Sequence, residues 1–436
     1  MPSELDLLRS LDDEPRTPST VDISRAIAAG RRRRVRRGVG YAGAATVTAL
    51  AVAGASVAGG VFGHAPAQTA ATGAPQTTAA APPRADRLIP GTAGWSAPAV
   101  SPPTSCTLDR LPLPDDAPMA VVSGADPTGR YLVGRSYPRS GGYQAVIWQD
   151  GGVRKVTLPG DREELLHDVN STGTAVGWSY PDGEADAGPL PYVYRDGKVS
   201  KLPGVRSGSA YAINDAGAIV GDDDTGHAAL VWPSATAAPV RLPVPAGASE
   251  STARDIDEDG TTVGTIDNQR PYVWFPDGTH RELPMPTLNG ERATTARVFG
   301  IRNGWATGVA GDGLRRPGSD PKAAPGAGPV GPDGRESEGR TTAVRWNVRT
   351  GEVRVSDELR YGADAVNAQG WQVGTDKQGR AVLVTDTATV VLPELVARTP
   401  DGLSTIATTL SDDGRTVAGQ SDDATDTIQA VVWRCR

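Results

Sequence analysis

Three aspartates at alternate positions ahead of a glycine, Asp255, Asp257 and Asp259 in the stretch DIDEDG (255–260), are the most pointed chemical signal in the chain. Oxygen donors spaced this way open a calcium loop, where alternate carboxylates converge on one hard cation. The pattern breaks off early, because the ninth and twelfth positions are Val263 and Ile266, which carry no donor. The competing reading is a tight turn whose Asx side chains cap their own backbone, and equivalent places hold Asn214 and Asn367. Beyond calcium at Asp255, Asp257 and Asp259, no cofactor is expected.

Asp222, Asp223 and Asp224 offer carboxylates for glycoside chemistry, which needs two at a defined separation, but they read first as a solvated acidic loop. The four histidines stand at 64, 167, 227 and 280, and none has a second one three or four residues away, which excludes an H-E-x-x-H zinc site. Neither a G-x-S-x-G elbow nor a phosphate-binding glycine loop between strand and helix is present. A looser set suits an anion. Arg162, His167, Arg206, Arg254, Arg292, Arg360 and Tyr361 lie in or beside connections that the repeat described below sends to one face. Cations gathered around a channel there would attract a negatively charged ligand, whereas scattered surface arginines would not.

The elements that must position these residues are copies of one unit. DVNSTGTAVG (168–177), AINDAGAIVG (212–221), DIDEDGTTVG (255–264) and AVNAQGWQVG (365–374) each read as a strand, an Asx-rich turn closed by glycine, and a second strand ending in glycine. Divergent copies are GADPTGRYLVG (124–134), GIRNGWATG (300–308) and TLSDDGRTVAG (409–419). The closing glycines at 134, 177, 221, 264, 308, 374 and 419 keep steps of 43 to 45 residues except for one of 66. That step contains the polar stretch 311–340, which reads as a disordered insertion. An apolar run follows each glycine, as in AVIW (145–148) and AALVW (228–232), and most copies then add a strand ending in Leu-Pro. Four short strands per unit and seven units give an all-β fold, a seven-bladed β-propeller of four-stranded blades. High glycine and proline, at 53 and 36 residues, agree with a turn-rich β protein.

The seventh copy ends at VVWRCR without its Leu-Pro strand, while CTLDRLPLP (106–114) supplies a spare one upstream of the first copy. The N-terminal strand is therefore expected to complete the last blade and close the ring, leaving no bare sheet edge. Cys106 and Cys435, the only cysteines, then fall on either side of a missing hairpin turn and are expected to form a disulfide.

Ahead of residue 104 the composition changes. Residues 1–37 form a short tail with six arginines between 31 and 37, and 38–62 include 24 uncharged positions in a row. At ~1.5 Å per residue that run crosses a bilayer core of ~30 Å, so a transmembrane helix is expected. The arginines place the tail in the cytoplasm and everything beyond the span outside. The alternative is a secreted protein cleaved near Ala67. Residues 63–103, rich in Ala, Pro and Thr, read as a flexible stalk to a propeller at 104–436. The net charge of −7, with the basic block confined to the tail, disfavours nucleic acid as a partner.

In the units AINDAGAIVG and AALVW the chain resembles the bacterial extracellular HAF-type repeat family, over about residues 106–436. That resemblance implies a propeller outside the cell and no particular chemistry. The first 62 residues are similar to the tail, arginine block and span of actinobacterial single-pass proteins related to anti-sigma factors, but without any His or Cys for a zinc motif. The expected function is a membrane-anchored binding or sensing module with an extracytoplasmic ligand or protein partner, signalling to a cytosolic regulator through 1–37. The alternatives are an enzyme acting on a glycan and a structural envelope protein.

Overall fold

The computed structural model describes residues 94–160, 163–180, 188–288, 290–311, 341–360, 362–396 and 405–436. The expectations for the tail, the span, most of the stalk, Arg162, Tyr361 and the insertion beyond Gly311 fall outside these residues. Among the described residues no helix is long and apolar enough to cross a membrane. The chain divides into units Met1–Pro82 and Pro83–Arg436, and the described residues belong to the second.

That unit contains seven four-stranded antiparallel sheets and one two-stranded ribbon, Thr287–Leu288 with Glu291–Arg292. The sheets are the blades of a propeller. Their first strands are Met119–Ala125, Glu164–Val169, Ala210–Ile213, Ser251–Ile256, Thr295–Arg302, Ala365–Val366 and Thr405–Leu410. Each neighbours the first strand of the next blade, and the seventh neighbours the first, so these strands surround the central channel. In the seventh sheet Cys106–Arg110 is the outermost strand, paired antiparallel to Ile428–Cys435 with Cys106 opposite Cys435. The two cysteines are disulfide-bonded with Cα atoms 4.0 Å apart. Residues ahead of 104 also pack on the blades, since Val100 lies on the core of the last two blades and the Ser101 carbonyl accepts from Arg415.

The core is not central. Seven apolar clusters fill the seams between neighbouring blades, such as Val133, Ile147 and Leu166 between the first and second. A recurrent hydrogen bond explains the pairing of Trp with Leu-Pro in the repeat. Trp232 Nε1 donates to the Pro203 carbonyl of the preceding blade at 2.9 Å, and Trp274, Trp346 and Trp433 do the same to Pro243, Pro284 and Pro393. Trp148 of the first blade reaches Pro112, in the segment that follows Cys106–Arg110. Each indole buries on the order of 200 Å², worth roughly 5 kcal/mol of transfer free energy before ordering costs, and its N–H is satisfied. The second blade has Tyr194 in this position, and its buried hydroxyl has no hydrogen-bond partner.

Six first strands carry a β-bulge at the same place, for example between Leu166 and Asp168 and between Ala253 and Asp255. In the sixth blade Asp364 and Ala365 both face Val373. The closing glycine of every unit but the sixth follows from this crowding. A Cβ at Gly177 or Gly264 would run into the carbonyl oxygen of Leu165 or Thr252 on the first strand.

Candidate functional site

A bulge turns one extra side chain out of the sheet, here toward the channel. The seven residues so placed are Ser123, His167, Tyr211, Arg254, Phe299, Asp364 and Thr408, all half-buried. Polar ones at two seams tie blades together, since Ser123 donates to the Leu166 carbonyl and Thr408 to that of Val122 at 2.9 Å. Those of the second to fourth blades instead stack. The His167 and Tyr211 rings meet edge to face with centroids 5.2 Å apart, and the Arg254 guanidinium lies 4.4 Å above the Tyr211 ring. Trp178, just after a closing glycine, flanks His167 at 6.5 Å and Tyr180 at 5.5 Å.

Two further arginines join this wall. Arg297, on the first strand of the fifth blade, is depressed below its ordinary pKa by burial and then by the nearby Arg254 charge. Its Nε is buried without a hydrogen-bond partner. Arg135 of the first blade lies over Tyr143 at 4.5 Å and donates to the Tyr137 hydroxyl. Although part of His167 is open to the channel, burial pushes its imidazole down to about 3, with Arg254 and Arg135 adding to the effect. His167 is thus a neutral ring at physiological pH. None of the three arginines forms an ion pair among the described residues.

The carboxylates beside them place their hydrogen bonds elsewhere, although Asp222 lies near enough to Arg254 to feel its charge. Asp222 accepts from the Tyr211 hydroxyl and Ser209 N–H, and burial raises it to about 7, assisted by Asp224. Asp168 and Asp255 each accept the backbone N–H of the next blade, from Ile213 at 2.9 Å and Ile301 at 2.7 Å. Burial raises both, Asp255 to about 7. Asp364 is raised to about 7 by burial alone.

The floor of the channel is built from the turns between first and second strands. Asn170 Nδ2 donates to the Asn214 carbonyl, Asn214 to that of Asp257, and Asn367 to those of Ser411 and Asp412. Asp257 continues the belt by accepting from Asn303 and Gly304 N–H. Arg302 spans it, paired at 2.7 Å with Glu258 of the fourth blade and with Asp412 of the seventh. Burial opposes the Arg302 charge, but Asp412 and Glu258 outweigh it and hold the guanidinium above its ordinary value. Glu258 is nonetheless raised, since its own desolvation exceeds what Arg302 returns.

The expected calcium ligands belong to this floor. Asp255 and Asp257 bind backbone N–H groups, and Asp259 binds Thr261 N–H and Arg349, so the three point at different partners. Among the described residues no cluster of His, Cys, Asp and Glu is arranged to hold a metal. Asp223 and Asp224 are likewise occupied separately, by Arg241 and Ser207. Of the expected anion site, the channel brings together His167 and Arg254. Arg206, Arg292 and Arg360 are exposed in the blade connections. Sequence reading missed Arg135, Arg297, Trp178 and Tyr211. The available signal was positional: these residues directly follow a closing glycine or flank the bulge.

No family model matches the chain and no curated relative matches it, so the HAF-type resemblance rests on its motif residues alone. Among solved structures the chain is similar to virginiamycin B lyase from Staphylococcus aureus, at 13% identity and a TM-score of 0.46, covering 75% of this chain and 98% of that one. It is also similar to oligogalacturonate lyase from Vibrio parahaemolyticus (10%, 0.44, 78% and 97%) and to YCF48 from Cyanidioschyzon merolae (12%, 0.39, 76% and 98%). Likenesses this distant carry no argument about activity; the blade count rests on the sheet order itself.

Proposed function

We propose that this chain is a binding module, held outside the cell membrane by the span at 38–62, whose ligand or partner enters the propeller channel. The observation that carries the reading is the contrast inside the channel between a floor in which Arg302 is paired with two carboxylates and a wall on which Arg254 and Arg297 form no ion pair among the described residues. Half-buried cations without partners cost stability, and a ligand that supplies the missing charge recovers it. The Cys106–Cys435 disulfide supports an oxidising compartment, in agreement with the topology that the arginine block implies. In this reading the strand Cys106–Arg110 closes the ring, and the disulfide takes the place of the hairpin turn found in other blades. Transmission to a regulator through residues 1–37 completes the proposal.

Two measurements test it. A membrane-impermeant amine reagent applied to intact cells should label Lys155 and Lys198; labelling only after lysis would remove the extracytoplasmic placement. The full-length protein, screened by thermal shift against calcium with and without chelator, cell-wall fragments and neutral and anionic oligosaccharides, should respond to at least one. A ligand at ~100 times its Kd adds ~2.7 kcal/mol. A response to none of these would turn the search to protein partners.

A further inference from the structure

The wall of the channel is more specific than a general binding surface. It runs as an arc over five consecutive blades, from Arg135 through His167 and Trp178 to Tyr211, Arg254 and Arg297. Arg254 and Arg297 come from the neighbouring first strands Ser251–Ile256 and Thr295–Arg302, which pack against each other, and the Arg254 charge is felt at Arg297. Like charges are held together at a cost, and neither has an ion pair or a hydrogen bond among the described residues. A guanidinium presents a planar fork of donors matched to two oxygens of one anionic group, so two adjacent guanidiniums define a place for an oxyanion. The other half of the arc is aromatic. Trp178, His167 and Tyr211 follow one another at ring spacings of 6.5 and 5.2 Å with planes inclined at 44° and 79°, giving a run of ring edges and faces next to the cations. With its imidazole uncharged, His167 adds to this surface as a ring and not as a third cation.

Resting on the binding-module reading, we infer that the channel wall is a site for a small ring-bearing oxyanion, a carboxylate or phosphate ester carried on a six-membered ring. The anionic group sits between Arg254 and Arg297 while the ring lies along Tyr211, His167 and Trp178. Asp222 holds the Tyr211 hydroxyl and so fixes the plane of the ring that Arg254 covers. The equivalent bulge positions of the sixth and seventh blades are Asp364 and Thr408, neither of them basic.

The experiment measures the melting temperature of the full-length protein in detergent, read by its nine tryptophans, against glucuronate, glucose 6-phosphate, benzoate, inorganic phosphate and glucose. Ring-bearing anions are expected to raise it, and glucose is not. The comparison of glucuronate with glucose 6-phosphate separates a carboxylate from a phosphate ester. The double variant Arg254→Gln, Arg297→Gln should weaken the response roughly 10- to 100-fold, the worth of charge-assisted hydrogen bonds, without lowering the unliganded melting temperature. Arg195→Gln, on the exposed second-blade hairpin, should leave the response unchanged. An equal response to inorganic phosphate would overturn the ring contact. An anion response that survives in the double variant would overturn the site, as would no response to any of the anions. A response to glucose or to neutral oligosaccharides alone would overturn the oxyanion and leave the binding module standing.

Discussion

Arg302 and Arg254 come from neighbouring blades and face the same channel, yet they live in opposite circumstances. Arg302, in the turn of the fifth blade, is mostly buried and clamped between Glu258 and Asp412. Arg254, on the bulge of the fourth, lies over the face of Tyr211 and forms no ion pair among the described residues. The floor around Arg302 is a belt of side-chain to backbone bonds running from blade to blade, whereas the wall around Arg254 leaves charge exposed to whatever enters. A propeller gains stability by satisfying its turns, because the same Asx position recurs and can bond to its neighbour each time. It can leave the bulge positions unsatisfied, because they recur in place but not in residue type.

The sharpest way to break this comparison is to remove one guanidinium at each end. Arg302→Met strands two acidic groups in the floor and should cost about 3–5 kcal/mol in urea unfolding, while Arg254→Met should stay within about 0.5 kcal/mol of the wild type. Equal losses would mean that Arg254 is also structurally paired. The belt links the seventh blade to the first through Asp412 N–H and the Pro127 carbonyl. Whether that link suffices is tested by Cys106→Ser, Cys435→Ser, which should cost about 2–4 kcal/mol by unfolding the seventh blade more readily. No loss would mean that strand pairing and the belt hold the ring without the disulfide.

A smaller effect should come from pH. Asp364, Asp222 and Asp255 have folded pKa values raised to about 7 from an unfolded value of 3.8, in each case through burial first. A raised carboxyl gives its full stability below its unfolded value and loses it as pH rises through the folded one. His167, lowered to about 3 from 6.5, acts in the other direction: its contribution is full above 6.5 and is lost as pH falls toward 3. Three carboxyls outweigh one imidazole, so stability should fall from pH 5 to pH 8. Asp364→Asn should flatten that fall and raise stability at pH 8 by about 1–2 kcal/mol, as seen in melting curves across the range. An unchanged profile would assign the dependence to the other buried acids. The smallest effect is expected outside the channel, where Tyr194→Phe removes a buried hydroxyl that has no partner. It should stabilise by up to about 1 kcal/mol; a loss would mean that the hydroxyl is bonded.

Several of these features were legible in the residues themselves. The glycine steps gave the seven units, and Cys106 opposite Cys435 followed from aligning TLDRLPLP with THRELPMP. The Trp and Leu-Pro signals proved to be two halves of one interblade hydrogen bond, which neither residue announces alone. The site was legible only in part. His167 and Arg254 stood out as charged residues near connections, but Arg206 and Arg292 looked equally suitable and are exposed. Arg297 and Tyr211 sit inside strands, where alternation alone does not say which face meets the channel.

By itself, then, the sequence determined the unit, its number and the covalent link between its ends, because each depends on local patterns repeated at a fixed period. Only the tertiary structure decided which side chains share the channel. A bulge shifts the facing of a strand by one residue, and ring geometry brings together positions 43 residues apart, such as Tyr211 and Arg254. Whether a given arginine is paired or left open depends on those neighbours, and no local pattern encodes them.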